Sequence, residues 1–224
     1  MNYLCGFAPL RELGFLLRDN AIVHRAILFD LGRVLVNFDF RIGYQALEKR
    51  CAYPAAEIPR RLAPGGLVER FESGQVGNRD FFEQFRRILE LDLEYEQFCE
   101  IWSSIFTHAI LPEGMLAGLG KRYRLVLLSN TNGLHFAMIR EAYAHLLRHF
   151  DAFVLSHEVG AMKPQAEIFD AAVAAAGCRA EECFYTDDIA AYVEAARAKG
   201  IDGVVFEGPE KLETAMRERG IVWD

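Results

Sequence analysis

The chain has 224 residues, with 25 lysines and arginines against 32 aspartates and glutamates, a formal charge of −7. That length suits one large domain or one domain with an insertion, and the acidic balance argues against a nucleic-acid binder, whose phosphate contacts need a basic surface. Apolar residues make up 52%, which excludes a disordered chain, and no window holds 18 apolar residues in a row, so no membrane span is expected.

Residues 1–23 stand apart as an N-terminal extension of unassigned role. The start, Met1 to Phe7, lacks the basic opening of a secretory signal, and Arg11, Glu12, Arg18 and Asp19 interrupt the apolar residues beyond it. Leu10, Leu13, Leu16 and Leu17 have the spacing of a short amphipathic helix. The domain begins at Ala26-Ile27-Leu28-Phe29-Asp30, a short apolar run that ends in an acid and reads as a buried strand. From 40 to 110 the pattern is helical, with no clear strand. Stretches such as 80–89 and 95–106 place aromatic and aliphatic residues three and four apart. Phe81, Phe82 and Phe85 read as packing of that block. After Pro112 four apolar runs recur: Leu125 to Leu128 before Ser129-Asn130, Phe153 to Ser156, Cys183 to Asp188, and Gly203 to Phe206. Helical stretches near 132–147, 165–176, 189–199 and 209–219 separate or succeed them, with left-handed caps expected at Gly177 and Gly200. Strands alternating with helices predict an α/β fold: a parallel, Rossmann-like sheet built from 24–39 and 111–224, with an all-helical block, 40–110, inserted after the first strand. The five cysteines, Cys5, Cys51, Cys99, Cys178 and Cys183, are scattered without CxxC spacing and read as reduced thiols of a cytoplasmic protein.

In parallel α/β sheets ligands bind outside the carboxyl ends of the strands. Those ends carry Asp30, then Ser129-Asn130-Thr131-Asn132, then Asp187-Asp188, with Met162-Lys163-Pro164 between them just before a helix. Clustered carboxylates repel one another without a cation, and hard oxygen ligands point to Mg²⁺. His145 and His149 are four apart on an expected helix but have no third ligand near in sequence, so zinc is not expected.

Phe29-Asp30-Leu31-Gly32-Arg33-Val34-Leu35, Leu128-Ser129-Asn130-Thr131-Asn132, Met162-Lys163-Pro164 and Tyr185-Thr186-Asp187-Asp188, in this order, resemble the four motifs of the haloacid dehalogenase superfamily, over about residues 25–220. The wording is most similar to small bacterial sugar-phosphate phosphatases, including α-glucose-1-phosphate phosphatases, and to the phosphatase domain of epoxide hydrolases. The helical block occupies the place of that superfamily's cap, and Phe71-Glu72-Ser73-Gly74-Gln75-Val76 resembles a cap segment of the subgroup. The resemblance implies an Mg²⁺-dependent phosphomonoesterase acting on a small phosphorylated metabolite. Asp30 would be the nucleophile, forming an aspartyl-phosphate. Asp30, Asp188, Asp187 and the Gly32 carbonyl would hold Mg²⁺. Ser129 and Asn130 would bind the phosphoryl oxygens, and Lys163 would offset charge.

Two positions depart from that pattern. The superfamily's phosphatases usually carry an acid/base aspartate two residues after the nucleophile, where this chain has Gly32. A frequent asparagine four residues after the second aspartate of the last motif is Tyr192 here. Asp39 is a candidate substitute facing the substrate, with a helix N-cap as its other reading. His108 and His135 are further candidates, and Arg41, Arg70 and Arg79 are candidate anion contacts. Two alternatives to the phosphatase stay open. One is a metal-independent 2-haloacid dehalogenase, and the other is a phosphate- or protein-binding pseudo-enzyme.

Overall fold

The computed structural model describes residues 23–223. The leucine pattern at 10–17 and Cys5 lie outside them. Strand β1, Ala26–Phe29, is followed by β2, Val36–Phe38, and then by five helices: α1 Phe40–Glu48, α2 Ile58–Leu62, α3 Leu67–Glu72, α4 Asn78–Leu89 and α5 Tyr95–Ser103. Next come β3 Phe106–Ala109, α6 Glu113–Leu119, β4 Arg124–Ser129, α7 Gly133–Ala142, α8 Ala144–Leu147, β5 Ala152–Leu155, α9 Ser156–Val159 and α10 Ala166–Ala176. The chain closes with β6 Cys183–Asp187, α11 Ala190–Ala198, β7 Asp202–Val205 and α12 Pro209–Glu218.

Five strands form a parallel sheet in the order β5-β4-β1-β6-β7. All four residues of β1 are fully buried, as a central strand covered on both faces requires. Its side chains alternate between two cores. Ile27 and Phe29 pack with Leu125, Leu127 and Phe150 on one face. Ala26 and Leu28 pack with Val126, Leu128, Phe169 and Tyr185 on the other. The alanine-rich α10 covers that second face and stops at Gly177, whose φ of 65° is a left-handed cap. Gly200 takes the same conformation at φ 85°.

The helices α1 to α5 enclose a third core built on Phe71, Phe81, Phe85, Phe98 and Trp102. Phe71 and Phe81 stack at 3.9 Å between ring centroids. This block rests on the sheet domain through Trp102, whose indole stacks on His135 of α7 at 5.2 Å.

Two sequence expectations are corrected. The segment 40–110 is not purely helical, because Phe106–Ala109 pairs antiparallel with Val36–Phe38, and Asn37 Nδ2 donates to Thr107 Oγ1 at 3.0 Å. This strand has four residues and is largely exposed. It carries no alternating pattern, and its partner lies about 70 residues upstream. The helix expected over 132–147 is two helices, with a break at Tyr143 (φ −117°, ψ 27°). Among the described residues, Cys51, Cys99, Cys178 and Cys183 are all unpaired thiols, and no helix is long and apolar enough to cross a membrane.

Candidate active site

Strand β1 lies between β4 and β6, so the chain runs to opposite sides of β1 and opens a crevice at their carboxyl ends. Asp30 follows β1, Ser129 ends β4, and Asp187 ends β6. Asp30 and Asp187 meet at Lys163. Its Nζ donates to Asp30 Oδ1 at 2.6 Å, to Asp187 Oδ2 at 2.6 Å and to the Leu128 carbonyl at 3.1 Å. The lysine side chain is 1% exposed, so its charge is compensated by the carboxylates rather than by water. Carboxylate oxygens of Asp30, Asp187 and Asp188 lie within 4.8 Å of one another.

Burial raises the Asp30 carboxyl to about 7; Lys163 works against this rise and Asp187 adds to it. Burial pulls Lys163 down, but Asp30 and Asp187 outweigh it and hold the ammonium above its ordinary range. Asp188 is raised by burial and by its like-charged neighbour Asp187. Two carboxyls shifted upward in one crevice are the mark of a site that a cation would relax. Asp187 also accepts from the Tyr185 hydroxyl and from the Ile189 N–H at 2.8 Å. Its oxygens are therefore the most occupied of the three, while Asp30 and Asp188 are freer toward a cation.

The crevice is a cavity of about 320 Å³. Asp30, Gly32, Ser129, Asn130, Lys163, Asp188 and Tyr192 all line it. Among the described residues the Ser129 hydroxyl has only a long contact, 3.4 Å to the Asn130 carbonyl, and so is available to a ligand. The Asn130 side chain engages the Lys163 backbone. Its Nδ2 donates to the Lys163 carbonyl at 2.9 Å, and its Oδ1 accepts from the Lys163 N–H at 2.8 Å. Asn130 thus positions Lys163, and among the described residues the second N–H of its Nδ2 has only a 3.5 Å contact, to the Tyr192 hydroxyl. Tyr192 stands by the same group, with its ring 5.3 Å from Lys163 Nζ and its hydroxyl 3.5 Å from Asn130 Nδ2.

Asp39 does not line the cavity. It is the N-cap of α1, where its Oδ1 accepts from the Arg41 N–H and both oxygens accept from the Arg41 guanidinium at 2.6–2.9 Å. The helix-capping reading accounts for it, because its acceptor capacity is spent on its own helix. Arg41, Arg70 and Arg79 are likewise absent from the cavity wall and bond Asp39, Gln84 and Glu96. His108 bonds its neighbour Thr107 and does not reach the cavity.

His135 does line the cavity, but both ring nitrogens are used. Nδ1 meets Asn132 Nδ2 at 3.0 Å, and Nε2 meets the Trp102 carbonyl at 3.0 Å. A carbonyl only accepts, so the Nε2–H tautomer is required. Burial depresses this imidazole from 6.5 to about 4, with the Trp102 bond opposing the shift. The unfolded chain therefore takes up a proton near pH 6.5 that the folded protein refuses until near pH 4. Stability is expected to fall by about 3 kcal/mol from this group as pH drops through that window. Chemical denaturation at about pH 7 and about pH 4.5 checks this. His135→Gln should lose markedly less stability between the two pH values than the wild type. Equal losses would remove His135 from the account.

Among the wall residues that the sequence gives no role are Arg33, Phe38 and Glu72, the last within the cap-like segment Phe71 to Val76. Arg33 adopts φ 57°, a left-handed conformation that arginine rarely takes. Its guanidinium lies 5.1 Å from the Phe38 ring centroid and 4.0 Å from Asp188. Glu72 ends α3 and comes from the helical block. Burial, and secondarily Glu69, raise its carboxyl to about 7.

Residues 24–200 match the haloacid dehalogenase-like hydrolases. The chain belongs to this family. D-ribitol-5-phosphate phosphatase of Bacteroides thetaiotaomicron is 26% identical over 203 residues, covering 88% of this chain and 93% of that protein. The crystal structure of a family enzyme from the same organism, in its magnesium complex, has a TM-score of 0.76 at 25% identity, covering 87% of this chain and 98% of that one. A family hydrolase from Porphyromonas gingivalis has a TM-score of 0.76 at 27% identity, with 88% and 98% covered. The block α1 to α5 stands where the family resemblance of the sequence places a helical cap, and the crevice lies beneath it.

Proposed function

We propose that this haloacid dehalogenase-like hydrolase is a magnesium-dependent phosphomonoesterase of a small sugar or polyol phosphate, working through an aspartyl-phosphate on Asp30. The observation that carries the reading is the Asp30 carboxylate, held at 2.6 Å by the buried ammonium of Lys163 at the floor of the crevice. The relatives add that a similar protein is a phosphatase of ribitol 5-phosphate and that a similar fold binds magnesium.

Asp30 attacks phosphorus in line, the P–O bond to the alcohol breaks, and water later attacks the same phosphorus to free Asp30. A carboxylate is a weak nucleophile, so most of the catalysis is positioning and charge stabilisation. Lys163 fixes one oxygen of Asp30 and adds positive charge beside the transferring group. The Ser129 hydroxyl donates to a phosphoryl oxygen. The carboxylate triad Asp30, Asp187 and Asp188 fits a hard divalent cation, which Asp30 and Asp188 would mainly hold, with the carbonyl of Gly32, a residue of the same cavity, as a further ligand. Bound there, Mg²⁺ would supply charge neutralisation for the phosphoryl oxygens.

The same acidic triad separates this reading from a metal-independent dehalogenase, which has no use for three adjoining carboxylates. The wall also limits the substrate. Its cations are Lys163 and Arg33, and the remaining surface includes Phe38, Phe40, Ile105, Phe106 and the acid Glu72. A leaving group with a second anionic charge would have only the exposed Arg33, 4.0 Å from Asp188, to meet it, whereas a neutral polyol needs no such cation. Hydrolysis of p-nitrophenyl phosphate and ribitol 5-phosphate, with Mg²⁺ and then with excess chelator, tests the proposal. Turnover that stops with chelator and returns with Mg²⁺ is expected. Turnover indifferent to chelator would contradict it.

A further inference from the structure

The acid/base aspartate usual in related phosphatases is absent at position 32, and the structure shows that the space is absent too. A Cβ built on Gly32 would stand 2.6 Å from Phe38 Cε1 and 3.3 Å from Cδ1. The Phe38 ring of β2 fills the volume that a side chain at position 32 would enter. Proton exchange with the leaving group has to come from another group on the wall. His135 has both nitrogens bonded. Lys163 is fixed between two carboxylates, and Asp30 and Asp188 serve as nucleophile and cation ligand. Burial raises the Tyr192 phenol above its ordinary value, so it stays protonated and cannot act as a base at neutral pH. Glu72 remains. It lines the cavity, and its carboxyl has no hydrogen-bond or ion-pair partner among the described residues.

The cap segment that carries Glu72 is pinned against the floor of the site at two points. The Ser156 hydroxyl accepts from the Thr131 N–H at 2.9 Å and donates to the Glu72 carbonyl at 2.6 Å. One buried serine thus ties Glu72 to the loop that holds Ser129 and Asn130. Two residues on, Gly74 has φ 74°, and a Cβ there would lie 2.2 Å from the His157 carbonyl oxygen. Only glycine permits this close approach of the cap loop to α9.

Resting on the aspartyl-phosphate reading above, we propose that Glu72 is the general acid and base of the reaction, supplied from the cap in place of an aspartate at position 32. In the first half-reaction the Glu72 carboxylic acid gives its proton to the alcohol oxygen as the P–O bond breaks and Asp30 takes the phosphoryl group. In the second, the Glu72 carboxylate takes a proton from water while that water attacks phosphorus. The P–O bond to Asp30 then breaks, and Asp30 and the Glu72 acid are both restored. A carboxyl near 7 has both protonation states available at neutral pH, as the two half-reactions demand.

The test compares the full-length wild type with Glu72→Gln, Glu72→Asp and Asp30→Asn, each with Mg²⁺, on phenyl phosphate and p-nitrophenyl phosphate. Glutamine is isosteric, and Glu72 has no side-chain partner to lose, so the fold is retained. Glu72→Gln is expected to lower kcat/KM for phenyl phosphate by roughly 10²-fold or more. For p-nitrophenyl phosphate, whose leaving group needs little protonation, the loss should be at least about tenfold smaller. The phosphorylated form of Glu72→Gln should accumulate on p-nitrophenyl phosphate, seen by intact mass after an acid quench, because hydrolysis of the intermediate lacks its base. Glu72→Asp keeps a carboxyl and should retain more phenyl phosphate activity than Glu72→Gln. Equal losses on the two esters without accumulation, or no loss at all, would overturn the Glu72 assignment and leave Asp30 in place. Turnover that survives Asp30→Asn would overturn the reading beneath it as well.

Discussion

Replacing Asp30 with asparagine is expected to abolish turnover, by more than roughly 10⁴-fold, while leaving the fold intact. An amide cannot form the acyl-phosphate, so the loss is one of chemistry. A factor of that size corresponds to about 5 kcal/mol of barrier. The structural cost is small for a definite reason. The asparagine oxygen still accepts from Lys163, Asp187 still compensates that ammonium at 2.6 Å, and one of three crowded carboxyls loses its charge. Thermal denaturation of Asp30→Asn should therefore lie close to the wild type, with steady-state hydrolysis near background. A variant that is both inactive and unfolded would mean that Asp30 serves the core first.

Replacing Lys163 with methionine is expected to act the opposite way, on stability as well as activity. The side chain is 1% exposed, and its two carboxylate partners are 10% and 0% exposed. Removing the ammonium leaves Asp30 and Asp187 facing each other without compensation, a change worth about 3–5 kcal/mol when one member of a buried ion pair is deleted. For a chain of this size that lowers Tm by on the order of 10 °C. Added Mg²⁺ should raise the Tm of Lys163→Met more than that of the wild type, because a cation at the triad takes over part of the lost compensation. Calorimetry with and without Mg²⁺ measures both effects. A Tm unchanged by the substitution would show that the carboxyls are neutral in the folded protein and that the ion pair contributes nothing.

The strand ends were legible in the sequence because buried parallel strands are continuous apolar runs, and an acid or hydroxyl where the run stops stands out. Asp30, Ser129 and Asp187 are legible that way, and Lys163 by its place before a helix. The structure brings Asp30, Ser129 and Lys163 to the wall of one crevice, with Asp187 fully buried against Lys163. Glu72 was not legible as a site residue. It lies in Phe71-Glu72-Ser73-Gly74-Gln75-Val76, which resembles a cap segment but gives none of its side chains a role, and only the packing of α3 against α9 brings it to the cavity. The resemblance gives Asn130 as a phosphate contact beside Ser129, and does not show that it also braces Lys163. Its two bonds to the Lys163 backbone depend on a loop 33 residues away, which no local pattern encodes. The strand Phe106–Ala109 escaped for the same reason, since its pairing with Val36–Phe38 is a tertiary contact. The filling of position 32 by Phe38 is a matter of ring placement that the residues 30–38 do not announce in order.

In this mechanism the phosphoryl group passes through Asp30. Mixing the protein with p-nitrophenyl phosphate and Mg²⁺, quenching in acid within the first turnover and mapping the phosphorylated peptide by mass spectrometry tests it most directly. A phosphoryl group is expected on the peptide that contains Asp30, absent when chelator replaces Mg²⁺ and absent in Asp30→Asn. Rapid release of p-nitrophenol with no phosphorylated Asp30 at any quench time, or a phosphoryl group on another residue, would contradict it.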